Sequence, residues 1–126
     1  MSEEKSLPKS AKVFLDSPMA SKVTTVYKKW KNLLTDKCKT SKKSGIPFEF
    51  KQLILVQDVE ESKAINKIER GAIIIAGSGM CNGGRILHHL KHRVWNPKNA
   101  LLFVGYQAKG TLGRDIVDGA KFIKIF

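Results

Sequence analysis

Residues 77–85, GSGMCNGGR, put four glycines, the Ser78 hydroxyl and the Arg85 cation into nine positions. Glycines carry an entropic cost, and what they offer in return is bare backbone that a ligand can approach closely. Successive N–H groups before a helix form a site for an anion. Three other stretches have a similar make-up: DSPMAS from Asp16, QDVEES from Gln57 and YQAKGTLGR from Tyr106. Together they offer hydroxyls at Ser17, Ser62, Ser78 and Thr111, and cations at Arg85, Lys109 and Arg114. That combination suits phosphate binding.

Other chemistries fit the same residues less well. A dinucleotide fingerprint needs glycine at the sixth position counted from Gly77, and Asn82 stands there. AKGTLGR lacks the frame of a nucleotide-binding P-loop. His88 and His92 lie one helical turn apart, but a zinc site needs a third protein ligand. Ser17, Ser78 and Cys81 have no evident base with an orienting carboxylate. The chain is therefore expected to contribute no catalytic residue and no metal ligand. Asp16 reads as a helix cap or loop-orienting group rather than a base. Phe14, Tyr27 and Trp30 are expected in the core, and Tyr106 could stack on a nucleobase.

The elements that must position these loops alternate along the chain. Apolar runs at AKVFLD, QLILV, AIIIAG, ALLFVGY and KFIKIF predict about five strands. Helical spacing and capping signals predict helices over residues 16–36, 58–70, 82–95 and 110–119. Alternating order with wholly apolar strands implies an α/β fold, a mostly parallel sheet with helices on both faces in a Rossmann-like three-layer arrangement. Right-handed crossovers then bring all four loops to the carboxyl edge of the sheet, where ligands bind in such folds. Residues 1–11 read as a polar tail or linker, 37–50 as a basic loop, and 12–126 as one domain.

The 126 residues carry 23 Lys plus Arg against 11 Asp plus Glu, a net charge of +12. Such an excess points to a polyanionic partner, most often nucleic acid. Cys38 and Cys81 do not make a disulfide framework, the opening segment lacks an apolar signal core, and no run is long enough to span a membrane. A cytoplasmic chain without a membrane partner is expected.

Four collinear blocks carry a more specific signal: VFLDSPMASKVTTVY, ESKAIN, IIIAGSGMCNGGRILHHLK and LLFVGYQAKGTLGRDIVDGAK. Over residues 12–126 the chain resembles the β-CASP region of metallo-β-lactamase-fold RNA-processing nucleases. These include bacterial and archaeal exonuclease-like proteins and the endonuclease of the cleavage and polyadenylation specificity factor. The resemblance implies an α/β cap on a metallo-β-lactamase core, with two zinc ions in the cleft between them. The zinc-ligand motifs are absent from this chain, and His88, His89 and His92 match a family helix that does not hold the metals. The parent enzyme would thus use zinc, and this chain would hold no cofactor.

By the same resemblance, Gly77–Met80, Gly83–Arg85, Gly110–Arg114 and Asp16–Pro18 line the RNA-facing wall. The candidate RNA- or phosphate-binding residues are Ser17, Ser78, Gly79, Met80, Gly84, Arg85, Lys109, Thr111 and Arg114. The function implied is the RNA-specificity domain of a zinc-dependent ribonuclease, not hydrolytic by itself. The alternatives are a free-standing phosphate- or nucleotide-binding module and a helper subunit of a separate nuclease. Expected partners are single-stranded RNA and a metallo-β-lactamase core in cis or in trans. Self-association through apolar surface normally covered by that core is a further expectation, and the parent chain is expected to continue.

Overall fold

A computed structural model of the chain describes residues 7–34 and 50–126. The first six residues of the expected tail, almost all of the basic loop and Cys38 lie outside them. The chain divides into two compact units, Met1–Ile75 and Ala76–Phe126.

The first unit contains β1 (Lys12–Asp16), α1 (Pro18–Lys29), β2 (Leu53–Leu55) and α2 (Val59–Ala64), and β3 (Ala72–Ala76) runs up to its boundary. The sheet order is β2-β1-β3, and β1 and β2 are parallel, with Val13 opposite Leu53, Phe14 opposite Ile54 and Leu15 opposite Leu55. Phe14, Val56 and Ile65 form the buried core, with Ile68, Ala72 and Ile74 packed against it. Burying side chains of this kind stabilises by about 1.5–3 kcal/mol each.

Helix α1 starts where capping chemistry allows. Ser17 is extended and its side chain accepts from the Ala20 N–H at 3.3 Å, while Pro18 takes the first helical position. Lys28 and Lys29 occupy the last turn, where cations suit the negative end of the helix dipole. In α2, the Asp58 side chain accepts from the Glu61 N–H at 2.8 Å, and Glu61 in turn accepts from the Gln57 N–H at 2.7 Å. This reciprocal pairing satisfies two donors at the helix entry.

One expectation about the core is corrected here. Phe14 is buried, but Tyr27 and Trp30 are exposed, as are Val23, Val26 and Leu33 on the same apolar stripe. The buried residue of α1 is Thr24, whose hydroxyl donates to the Ala20 carbonyl. Helical spacing shows that a helix has an apolar face; it does not supply the element that covers it.

The second unit contains α3 (Arg85–Arg93) and α4 (Leu112–Val117). The α/β class and the parallel pairing hold, but among the described residues the sheet has three strands rather than about five. Residues 100–106 and 121–126, expected as the fourth and fifth strands, form no strand. Leu102, Val104 and Phe122 are 82%, 93% and 93% exposed. A strand exists only when a neighbour takes its N–H and C=O groups, and no apolar run encodes that neighbour. Among the described residues, no helix is long and apolar enough to cross a membrane.

Candidate nucleic-acid interface

The glycine-rich stretch after β3 folds into a closed loop. The Ser78 N–H donates to the Gly83 carbonyl at 3.0 Å, the Cys81 N–H to the Ser78 carbonyl at 3.1 Å, and the Ile86 N–H to the Gly77 carbonyl at 3.1 Å. Inside the loop, the Ser78 hydroxyl donates to the Gly83 carbonyl at 3.2 Å and accepts from the Asn82 N–H at 3.1 Å. Gly84 precedes α3 with φ +79°, and a Cβ there would lie 2.5 Å from the Gly77 carbonyl oxygen. Only glycine closes this turn. At Gly77, Gly79 and Gly83, by contrast, a Cβ would meet nothing within 4 Å, so these positions leave the backbone open to approach.

A second segment braces the loop from outside. The Gly113 N–H donates to the Met80 carbonyl at 3.0 Å, and the buried Gln107 amide donates to the Gly79 carbonyl at 3.1 Å. Thr111 caps α4: its hydroxyl accepts from the Arg114 N–H at 3.2 Å and donates to the Ala108 carbonyl at 2.7 Å. Gly113 is buried, and a Cβ there would strike Gln107 Oε1 and come within 3.0 Å of the Met80 carbonyl. The GTLGR block thus packs its glycine directly on the GSGM block. An open groove of about 540 Å³ lies beside them, lined by Ser78, Gly79, Met80, Leu102, Val104, Tyr106 and Gln107 among others. Tyr106 is 74% exposed along it.

Ser78, Gly79, Met80, Gly84, Arg85, Lys109, Thr111 and Arg114 all belong to this second unit. Their roles differ. Arg85 opens α3, and Lys109 is exposed in the turn before Gly110. The Arg114 Nε binds Asp118 at 2.8 Å, and that carboxylate's hydrogen bond and charge raise the guanidinium pKa above its ordinary value. Arg114 therefore stays cationic with one of its five donors committed. Cys81 is buried and has a left-handed φ of 58°. Burial pushes its thiol pKa up, which keeps it protonated and poorly nucleophilic at neutral pH. The His88 ring lies against Phe126, with centroids 5.0 Å apart.

Ser17 belongs to the first unit and serves as the α1 cap. Next to it, Asp16 is fully buried and accepts from the Ser62 hydroxyl at 2.5 Å. Asp16 is thus not the helix cap. It ties the end of β1 to α2, and it commits the Ser62 hydroxyl that the loop composition offered to phosphate. Sequence reasoning missed this pair and also Gln107, because neither partner is near in sequence. The one available sign was a lone Gln at the end of the apolar run ALLFVGY.

The model of the Beta-Casp domain matches residues 1–116. The chain belongs to this family. Among the relatives of this Beta-Casp chain, Ribonuclease TTHA0252 of Thermus thermophilus is 42% identical over 116 residues, covering 91% of the chain and 27% of the relative. An RNase J-like protein of Methanocaldococcus jannaschii is 42% identical over 104 residues, covering 82% and 23%. The transcription termination factor FttA of the same organism is 34% identical over 118 residues, covering 92% and 18%. The Beta-Casp chain therefore spans about a quarter or less of the length of these curated relatives.

Proposed function

We propose that the chain is the RNA-specificity domain of a metallo-β-lactamase-fold ribonuclease that acts in RNA processing. The observation that carries this reading is the closed GSGM loop, built so that the backbone at Gly79 is open to approach. A chain with a net charge of +12 supports a polyanion at that loop. The relatives named above as ribonuclease and RNase J-like protein support RNA as that polyanion. Under this reading, N–H groups near Gly79 hold phosphate oxygens, and the Ser78 hydroxyl, which donates to the Gly83 carbonyl, holds the loop in shape for them. Arg85, Lys109 and Arg114 supply charge, and Thr111 and Gly84 shape the wall. The domain assignment, 12–126 after a tail, belongs to the same proposal.

The parent enzyme, by its family, would use zinc. Among the described residues no three His, Cys, Asp or Glu side chains come together as a metal site, so these residues do not fit the ion. The metal would be held by a metallo-β-lactamase core in cis or in trans. The exposed apolar residues Val26 on α1 and Trp30 and Leu33 just after it support apolar packing against such a partner or a second copy.

Fluorescence anisotropy of a labelled oligouridylate, followed against salt, tests the reading. Each phosphate contact with single-stranded RNA contributes about −0.7 to the slope of log K against log salt, so three or four contacts predict roughly −2 to −3. Arg85→Ala is expected to flatten the slope by about 0.7. Lys42 and Lys43, which lie outside the described residues, provide the control. If their double substitution flattens the slope while Arg85→Ala leaves it unchanged, the attraction is diffuse and the reading fails.

A further inference from the structure

We propose that Gln107 is a positioning residue that sets the Gly79–Met80 peptide so that its N–H faces an RNA phosphate. The inference rests on the RNA reading above and assigns the control of that loop to a residue outside it.

Gln107 is 7% exposed, and its Nε2 lies 3.1 Å from each of three carbonyl oxygens, those of Gly79, Gly105 and Tyr106. An amide NH₂ has two protons, so the three acceptors share them. A flipped amide would set its oxygen against all three carbonyls, so the donor direction is fixed by electrostatics. Oε1 is buried with no hydrogen-bond partner among the described residues, and it occupies the space that a side chain at position 113 would need. The side chain therefore acts as a donor only, and Gly113 makes room for it.

The consequence reaches the loop through one peptide plane. The Gly79–Met80 bond is trans, so its carbonyl and its N–H point to opposite sides. Holding the Gly79 carbonyl toward Gln107 turns the Met80 N–H away from Gln107. The next carbonyl, Met80, is held by the Gly113 N–H. Among the described residues neither the Gly79 nor the Met80 N–H has a partner. Two adjacent unspent donors, one of them on the peptide that Gln107 holds, suit the binding of an anion. No side chain within the loop fixes this peptide, which is why a residue 28 positions away does so.

The test compares wild type with Gln107→Leu, which is similar in volume and has no donor. Both are titrated with the labelled oligouridylate across a range of salt, and both amide spectra are recorded with ¹⁵N labelling. The expected result is weaker binding by the folded variant at every salt concentration, with the slope unchanged because a neutral N–H releases no counterion, together with loss of the Met80 amide response. A purely structural role would lower thermal stability yet leave the affinity of the folded fraction and the Met80 response as in wild type, and that result overturns the proposal. If Gln107→Leu does not fold, wild type alone decides. Slowly exchanging Gln107 side-chain protons together with a Met80 amide that moves on oligouridylate addition support the proposal. A silent Met80 amide, with shifts elsewhere, overturns it. If wild type binds no oligouridylate at all, the RNA reading falls first and this inference with it.

Discussion

Replacing Gly84 with alanine is expected to open the GSGM loop, and the size of the effect can be worked from geometry. Gly84 sits at φ +79° and ψ −173°, a region populated almost only by glycine. Forcing another residue there costs about 1–3 kcal/mol. The new Cβ would lie 2.5 Å from the Gly77 oxygen, 2.9 Å from the Gly77 carbonyl carbon and 3.0 Å from the Ser78 nitrogen. All three are backbone atoms in the loop's own turn, so none can swing aside. Overpacking of that kind adds about 1–3 kcal/mol. The sum, about 2–6 kcal/mol, corresponds to a fall in melting temperature of roughly 8–24 °C for a chain of this size. Gly79→Ala is the matched control, since a Cβ there meets nothing within 4 Å. Its effect should stay within about 0.5 kcal/mol, or roughly 2 °C. Thermal melts followed by far-ultraviolet circular dichroism read both. A Gly84→Ala protein that melts with wild type, or a Gly79→Ala protein equally destabilised, would refute the closed-turn argument.

Removing the Ser62 hydroxyl from the buried Asp16 carboxyl should lower stability by about 1–3 kcal/mol in denaturant titration. Ser62→Ala that unfolds at the wild-type midpoint would show that the pair contributes nothing. Cys81, with its pKa raised by burial, should react slowly with a disulfide reagent at neutral pH in a Cys38→Ser background, and much faster once unfolded. The unfolded chain loses this thiol proton at lower pH than the folded one. Folding stability should therefore decline as pH rises through the ordinary thiol range, and a flat alkaline profile for the fold would contradict the burial. With zinc added, the chain is expected to cleave no RNA; turnover that disappears on His88→Ala would contradict this and reinstate a metal site on α3.

Much of the first unit was legible because its determinants are local. Ser17-Pro18 is a complete helix start, Asp58 and Glu61 are three residues apart, and AKVFLD and AIIIAG are continuous apolar runs. Gly84 reads from the sequence as one of the glycines that bare the loop backbone, whereas in the structure it closes the loop. What failed to read through depends on residues far apart in the chain. ALLFVGY and KFIKIF have the composition of buried strands, but pairing is a property of two segments. The stripe of Tyr27 and Trp30 describes a face and not its covering. Asp16 with Ser62, 46 residues on, and Gln107 with Gly79 are polar pairs joined only by folding. Polar side chains in loops offer phosphate ligands and internal braces with the same composition. Ser62, Ser78 and Thr111 all spend their hydroxyl protons on the fold.

The most direct measurement of the central claim is an amide footprint of the ¹⁵N-labelled chain titrated with oligouridylate at moderate salt. RNA held at the glycine-rich wall should shift Ser78, Gly79, Met80 and Arg85 first and most, saturably, with Gly110–Arg114 following. Shifts spread evenly over the exposed lysines, with residues 77–85 unmoved, would contradict it.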